Sequence, residues 1–181
     1  FRAGISYISD DRHGDSLVMD MTVEDNLILR DFDREPFSRK MVLDYRQAEK
    51  RAREALDEYS IKTSGKSGIK TPVKLMSGGN QQKVILSREI SGEAGLIVAS
   101  QPTRGLDIGA TRFVHETLLR QRDAGRCVLL ISADLDEILG VSDRVAVMYE
   151  GRIIGILNRE EADVHKIGLL MGGIAKEAAN E

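Results

Sequence analysis

The sequence predicts an α/β domain, a parallel sheet with helices packed around it. Short apolar runs recur along the chain: Gly4-Ile-Ser-Tyr-Ile8, Ala94-Gly-Leu-Ile-Val-Ala-Ser100 and Cys127-Val-Leu-Leu-Ile131. Between them lie stretches with apolar residues at helical spacing, Tyr45 to Tyr59 and Thr111 to Asp123. A polar Gly-Gly turn opens a further helix at Ser77-Gly-Gly79.

Composition narrows the class. At 181 residues and 41% hydrophobic, the chain holds enough apolar surface for one domain with its own core. Aromatics are only 4% and Trp is absent, so that core is aliphatic. A net charge of -3 gives no reason to expect a nucleic-acid partner. Cys127 is the sole cysteine, which rules out an internal disulfide, and its neighbours suggest a buried strand residue. No apolar run approaches the roughly 20 residues that cross a bilayer. No signal peptide is visible, and the expected compartment is the cytosol.

Gly4 to Ile8 reads as a short buried strand, followed by the charged loop Ser9-Asp-Asp-Arg-His-Gly-Asp15. Thr22 fits an N-cap with Asp25 in the first turn, so a helix is expected from Val23. Arg30 to Phe37 is polar and carries Pro36, a loop. In Tyr45 to Tyr59, residues Ala48, Ala52, Ala55, Leu56 and Tyr59 form the inner face of an amphipathic helix. Ser60-Ile-Lys-Thr-Ser-Gly-Lys-Ser67 nearly matches G-x-x-x-x-G-K-[ST], with Ser60 at the first Gly. A true P-loop follows a strand and opens a helix. This stretch follows a helix and leads into Pro72, so it reads as a linker.

The segment Lys74 to Ile90 is the centre of the chain. Ser77 is placed as an N-cap whose hydroxyl accepts an orphan amide proton. Gly78 and Gly79 leave backbone amides without side-chain cover. Two readings stand side by side: a phosphate-contacting helix start, or a plain Ser-capped helix with a Gly-rich entry. Val84, Ile85, Leu86 and Ile90 form its apolar side. Ala94 to Ser100 is expected to be a buried parallel strand whose C-terminal end enters a functional loop, Gln101-Pro-Thr-Arg-Gly-Leu-Asp107. Asp107 would cap a helix starting near Gly109. That helix turns Val114, Leu118 and Leu119 inward and ends at Gly125. Ser132 to Ile138 opens another helix. Arg144 to Met148 and Arg152 to Leu157 flank Tyr149-Glu-Gly151 as a hairpin, and Glu160 to Met171 closes with a helix. His115 suits packing or surface. His13 and His165 lack partners at metal spacing, so protein ligands alone make no metal site.

Met76-Ser-Gly-Gly-Asn-Gln-Gln-Lys83 resembles the signature motif of ABC-type ATPases, in the Asn-Gln-Gln-Lys form seen in importers of simple sugars and nucleosides. The likeness extends over almost the whole chain and implies a P-loop NTPase-like ABC ATPase domain, a parallel sheet with helices plus a helical signature subdomain. By this resemblance Ser77, Gly78, Gly79, Asn80 and Gln81 are nucleotide-binding residues. Asp10 takes the Q-loop position, Ser100 and Gln101 the Walker B pair, Asp107 the D-loop and Ala133 the switch position. At three of these the family's usual group is absent: Ser100 brings no charge to a metal, Gln101 cannot take a proton as a carboxylate does, and Ala133 cannot hydrogen-bond.

The resemblance also implies a domain plan. Residues 9–93 form the helical subdomain, and residues 1–8 and 94–181 the core α/β part. The chain starts at Phe1, and the expectation is the second of two nucleotide-binding domains, its P-loop portion lying upstream. Implied cofactors are ATP and Mg2+ in the full dimeric assembly. Implied partners are the first nucleotide-binding domain of the same polypeptide and transmembrane permease subunits, at the cytoplasmic side of the membrane. The fragment alone is expected to be inactive. Two alternatives stay open: a non-catalytic docking or regulatory module, favoured by the three altered positions, and a non-transport ABC ATPase. The second would need a long coiled-coil insertion or a basic face, and neither is visible.

Overall fold

The computed structural model describes residues 4–40, 42–63, 65–92 and 94–174. The chain divides into two compact units between Ile131 and Ser132.

The first unit is built on a three-stranded parallel sheet: β1 (Ile5–Ile8), and further along the chain β4 (Leu96–Ser100) and β5 (Cys127–Ile131), in the order β1-β4-β5. Successive residues of a strand face opposite sides. Ile8, Ile97 and Ala99 therefore point to one face, where Val84, Ile85, Leu86, Val114 and Leu118 cover them. The opposite face, with Ile5, Tyr7, Leu129 and Ile131, is exposed. This corrects two expectations. β1 is buried on one face only, and Cys127 is exposed. Cys127 shares its face with Leu129 and Ile131 on an edge strand, and an apolar sequence run does not tell a one-sided strand from a two-sided one.

Helices α1 (Val23–Ile28), α2 (Tyr45–Glu58) and α3 (Gly78–Ile90) make the layer on the covered face. Thr22 and Asp25 close a reciprocal capping box that starts α1 where expected. Ala48, Ala52 and Ala55 are fully buried, and their small side chains let α2 approach its neighbours closely. The sequence gives no sign of the short hairpin β2 (Ser38–Arg39) and β3 (Val42–Leu43); strands of two residues carry no periodicity. α4 (Ile108–Asp123) packs Val114 and Leu118 inward, and Gly125, at φ 86°, ends it as expected.

Polar bonds fix α3 against β1. Arg30 Nη1 lies 2.7 Å from Glu89 Oε2; Glu89 is buried and Arg30 mostly covered. Arg88 Nε meets the other oxygen, Oε1, at 2.8 Å. Ser6 Oγ donates to the Glu89 carbonyl at 2.6 Å and accepts from Arg30 at 2.9 Å. The far end of α3 is thus anchored by a charged cluster, and its apolar middle by the core.

In the second unit, α5 (Leu135–Val141) precedes the antiparallel hairpin β6 (Arg144–Tyr149) and β7 (Arg152–Asn158), and α6 (Val164–Met171) follows. Glu150 and Gly151 both have positive φ, the turn geometry that matches strand twist in a two-residue hairpin loop. Val145, Val147, Leu157, Ile167 and Leu170 form its core. The final helix starts at Val164 rather than Glu160, because Arg159–Glu161 forms a separate single turn. Among the described residues, no helix is long and apolar enough to cross a membrane.

Candidate functional site

The site gathers three short stretches around the start of α3: the loop and helical turn 9–16, the turn 76–81, and the loop 101–107.

Ser77 is the N-cap residue by its extended backbone, yet its side chain caps no helix amide. Its Oγ accepts instead from Asn80 Nδ2 at 2.9 Å. The expectation of a hydroxyl satisfying the first turn is corrected on this point: the amide of Asn80, one turn on, competes for the oxygen. Two consequences follow. The first-turn amides of α3 have no side-chain cap, and the Ser77 hydroxyl proton is left to donate. Asn80 also accepts from the Lys62 amide at 2.8 Å, and Lys83 Nζ donates to the Ser60 carbonyl at 2.9 Å while lying 4.6 Å from the centre of the Phe113 ring. Burial, with Lys62 nearby, pulls the Lys83 ammonium below its ordinary value. Residues 60–62 are therefore bound down onto α3. The near-match to a P-loop follows α2 and runs into helical turns at Gly65–Lys70 and Val73–Leu75, with no strand before it; Ser64 lies outside the described residues.

Gln81 does not face outward. It is 5% exposed, because the fourth residue of α3 lies on the same helix face as the buried Val84 and Ile85. Its Nε2 donates to the carbonyls of Val73 at 3.0 Å and Met76 at 3.3 Å, and its Oε1 lies 3.1 Å from His13 Nε2. These bonds brace the turn from beneath. Gly79 has a steric reason: a Cβ there would stand 2.9 Å from the Ala110 Cβ.

Asp107 caps α4, accepting from the Ala110 amide at 2.9 Å, as the sequence suggested. Gly105 sits at φ 69°. Gln101 begins this loop at φ 45°, a left-handed conformation that costs a non-glycine residue, and its amide bonds the Ile131 carbonyl at 2.8 Å. Ser100 is the last residue of β4, paired in register with Ile131. Ser100 and Gln101 thus stand at the C-terminal end of the central strand, as expected. Ala133 lies in the second unit, beside Ser132, whose Oγ accepts from the Asp134 amide at 3.0 Å.

Asp11 caps the turn Arg12–Ser16, accepting from the amides of His13 at 3.1 Å and Gly14 at 2.8 Å. The Gly14 bond in particular holds the Asp11 carboxyl below its ordinary value. Asp10 is half-exposed and stands 4.0 Å from Arg104 Nη1. Arg12 Nη1 donates to the Arg104 carbonyl at 2.8 Å. A shallow groove of about 240 Å³ runs between Asp10–His13 and Arg104–Gly105. The bridging roles of Arg12 and His13 were not legible: they join residues 92 and 68 positions away in the chain.

The fold is an α/β domain with a parallel sheet, and its glycine-rich helix start stands at the centre of the site. The model of the ABC transporter family matches residues 1–104, and the chain belongs to that family. It is 44% identical over 179 residues to the guanosine import ATP-binding protein NupO of Bacillus subtilis (strain 168), covering 99% of this chain and 34% of that protein. The nucleoside import ATP-binding protein NupA of Lactococcus lactis subsp. cremoris (strain MG1363) is 43% identical over 169 residues, with 93% and 33% covered. A ribose import ATP-binding protein, RbsA of Clostridium perfringens (strain SM101 / Type A), is 39% identical over 176 residues, with 94% and 33% covered. The chain spans about a third of the length of these curated relatives. Among solved structures, the dimer of the ATP-binding cassette MJ0796 in a post-hydrolysis state, bound to ADP and Pi, superposes with a TM-score of 0.67 at 20% identity, covering 86% of this chain and 62% of that one. That likeness bears on the fold alone.

Proposed function

We propose that this chain is the ATP-binding part of a membrane importer of nucleosides or simple sugars, and that it lends its signature turn to a composite ATP site. The observation that carries this reading is the open start of α3. Its amides have no side-chain cap, Gly78 and Gly79 leave them uncovered, and the Ser77 hydroxyl has a proton to give. A helix N-terminus of this kind favours the negative charge of a phosphate. The relatives named for nucleosides, at 44% and 43% identity, stand above the ribose relative at 39%, which favours a nucleoside as the transported solute.

The composite site is read as follows. ATP lies between a P-loop on a partner nucleotide-binding domain, the first of the same polypeptide, and Ser77, Gly78 and Gly79 of this one. Preorganised amides there stabilise charge developing on the γ-phosphate. Asn80 and Gln81 hold that turn in shape rather than touching the nucleotide. Asp107, at the start of α4, faces the dimer partner. Mg2+ accompanies ATP, and at this chain's own strand end Ser100 and Gln101 offer neutral oxygens and no carboxylate. We therefore assign this chain's own strand end to binding rather than hydrolysis; by the resemblance, Ala133 takes the switch position and brings no side-chain hydrogen bond. Residues 9–93 act as the helical subdomain, and Asp10 and its loop face the transmembrane permease subunits on the cytoplasmic side of the membrane. The 181 residues alone are read as inactive.

The test is Gly79→Asp in the full-length transporter. It brings charge and bulk to the phosphate and is expected to remove most solute-stimulated ATP hydrolysis. Unchanged turnover would refute the reading. It would favour instead a non-catalytic docking module, which the neutral groups at Ser100, Gln101 and Ala133 also suit.

A further inference from the structure

Arg12 and His13 are neighbours in a single π-type helical turn, so their side chains leave the backbone in different directions. Arg12 goes to the loop 101–107: Nη1 donates to the Arg104 carbonyl at 2.8 Å. Its Nη2 stands 3.6 Å from where a Cβ on Gly105 would be and 3.8 Å from where one on Gly78 would be. His13 goes to α3, where Nε2 lies 3.1 Å from Gln81 Oε1. Asp11 holds the register of the turn through the amides of His13 and Gly14.

The orientation of Gln81 decides the state of His13. Both protons of the Gln81 amide are committed to the carbonyls of Val73 and Met76. Flipping the amide would set oxygen against two carbonyl oxygens. Oε1 is therefore the acceptor, and His13 Nε2 must donate.

We propose that Arg12 and His13 are positioning residues that hold the signature turn and the loop 101–107 in one fixed geometry. This rests on the functional reading above, since it concerns how Ser77, Gly78 and Gly79 are presented to phosphate. Neither side chain touches the nucleotide in that reading. Arg12 acts through the Arg104 carbonyl, and His13 through the Gln81 side chain, which in turn holds the carbonyls of Val73 and Met76. A displacement of the turn by about an ångström is enough to weaken transition-state contacts severely.

The experiment measures kcat and KM for ATP in the full-length transporter carrying Arg12→Ala, His13→Leu, the double variant, and His13→Gln, with Gly79→Asp as reference and a thermal unfolding curve for each. We expect each single change to lower kcat roughly tenfold with KM within about twofold, the signature of lost positioning rather than lost binding. The double variant is expected to lose little more than the worse single, because one joint is broken twice. His13→Gln retains a side-chain N–H donor and should recover most of the loss. Arg12→Lys, which retains charge and stem, gives a second readout should Arg12→Ala reduce the folded fraction. A double variant within twofold of the parent kcat, while Gly79→Asp abolishes turnover, would overturn the positioning role alone. Full turnover in Gly79→Asp would overturn the functional reading, and this inference with it.

Discussion

The start of α3 and the end of β4 lie in the same compact unit and are held very differently. Around α3, Ser77 and Asn80 bond each other, and Asn80, Gln81 and Lys83 reach partners among residues 13, 60–62, 73–76 and 113. Behind them the Arg30–Glu89–Arg88 cluster anchors the far end of the helix. At the end of β4, Ser100 and Gln101 bring no charge, and Gln101 sits in a left-handed backbone conformation. The contrast suggests which half-site is kept under constraint. Under the proposed function, a turn that meets a phosphate needs bracing from every side, and a strand end that only binds tolerates a neutral pair.

The largest effect should come from the braced region. Gly79→Asp places a Cβ 2.9 Å from Ala110 and a carboxylate beside the open amides, and a loss of turnover of about 100-fold or more is expected in an ATPase assay of the full transporter. Next is stability at the other end of the helix. Arg30→Met leaves Glu89 buried with Arg88 as its remaining ion-pair partner in the cluster, so the cost should be about 2 to 3 kcal/mol, at or below the low end for a broken buried pair, read from the urea midpoint. A cost near zero would mean that this cluster does not anchor α3.

Gln101→Gly addresses the weak region from the opposite side. Relief at φ 45° outweighs the added freedom of the unfolded chain, so we expect a gain of about 0.5 kcal/mol with turnover changed less than twofold. A large loss of turnover would show that Gln101 is chemically engaged. The smallest effect concerns Asp11. Its folded pKa lies below its unfolded value, so the stability it adds is present above about pH 4 and is lost as pH falls through the folded value. Hydrogen exchange at the His13 and Gly14 amides should accordingly lose protection only on the acid side of pH 4.

Much of this was legible in the chain itself. The Thr22–Asp25 capping box, the alanine face of α2, the Asp107 cap, the Gly125 stop and the Glu150–Gly151 turn are local patterns, and local patterns survive in sequence. What was not legible depends on distant residues. The side-chain environment of Ser77 is set by Asn80 and, through it, by Lys62. Nothing local in the sequence shows that His13, 68 positions away, meets the Gln81 oxygen. Cys127 looked buried because an apolar run hides which face of its strand is covered. The β2–β3 hairpin is too short to leave any period at all.

The most direct measurement is a single-turnover count of phosphate released by the full-length transporter loaded with two ATP molecules per pair of nucleotide-binding domains. One equivalent of phosphate, lost on Gly79→Asp, is the result expected if this chain lends its signature turn to the working site and holds an idle one. Two equivalents, or one equivalent that survives Gly79→Asp, would contradict it.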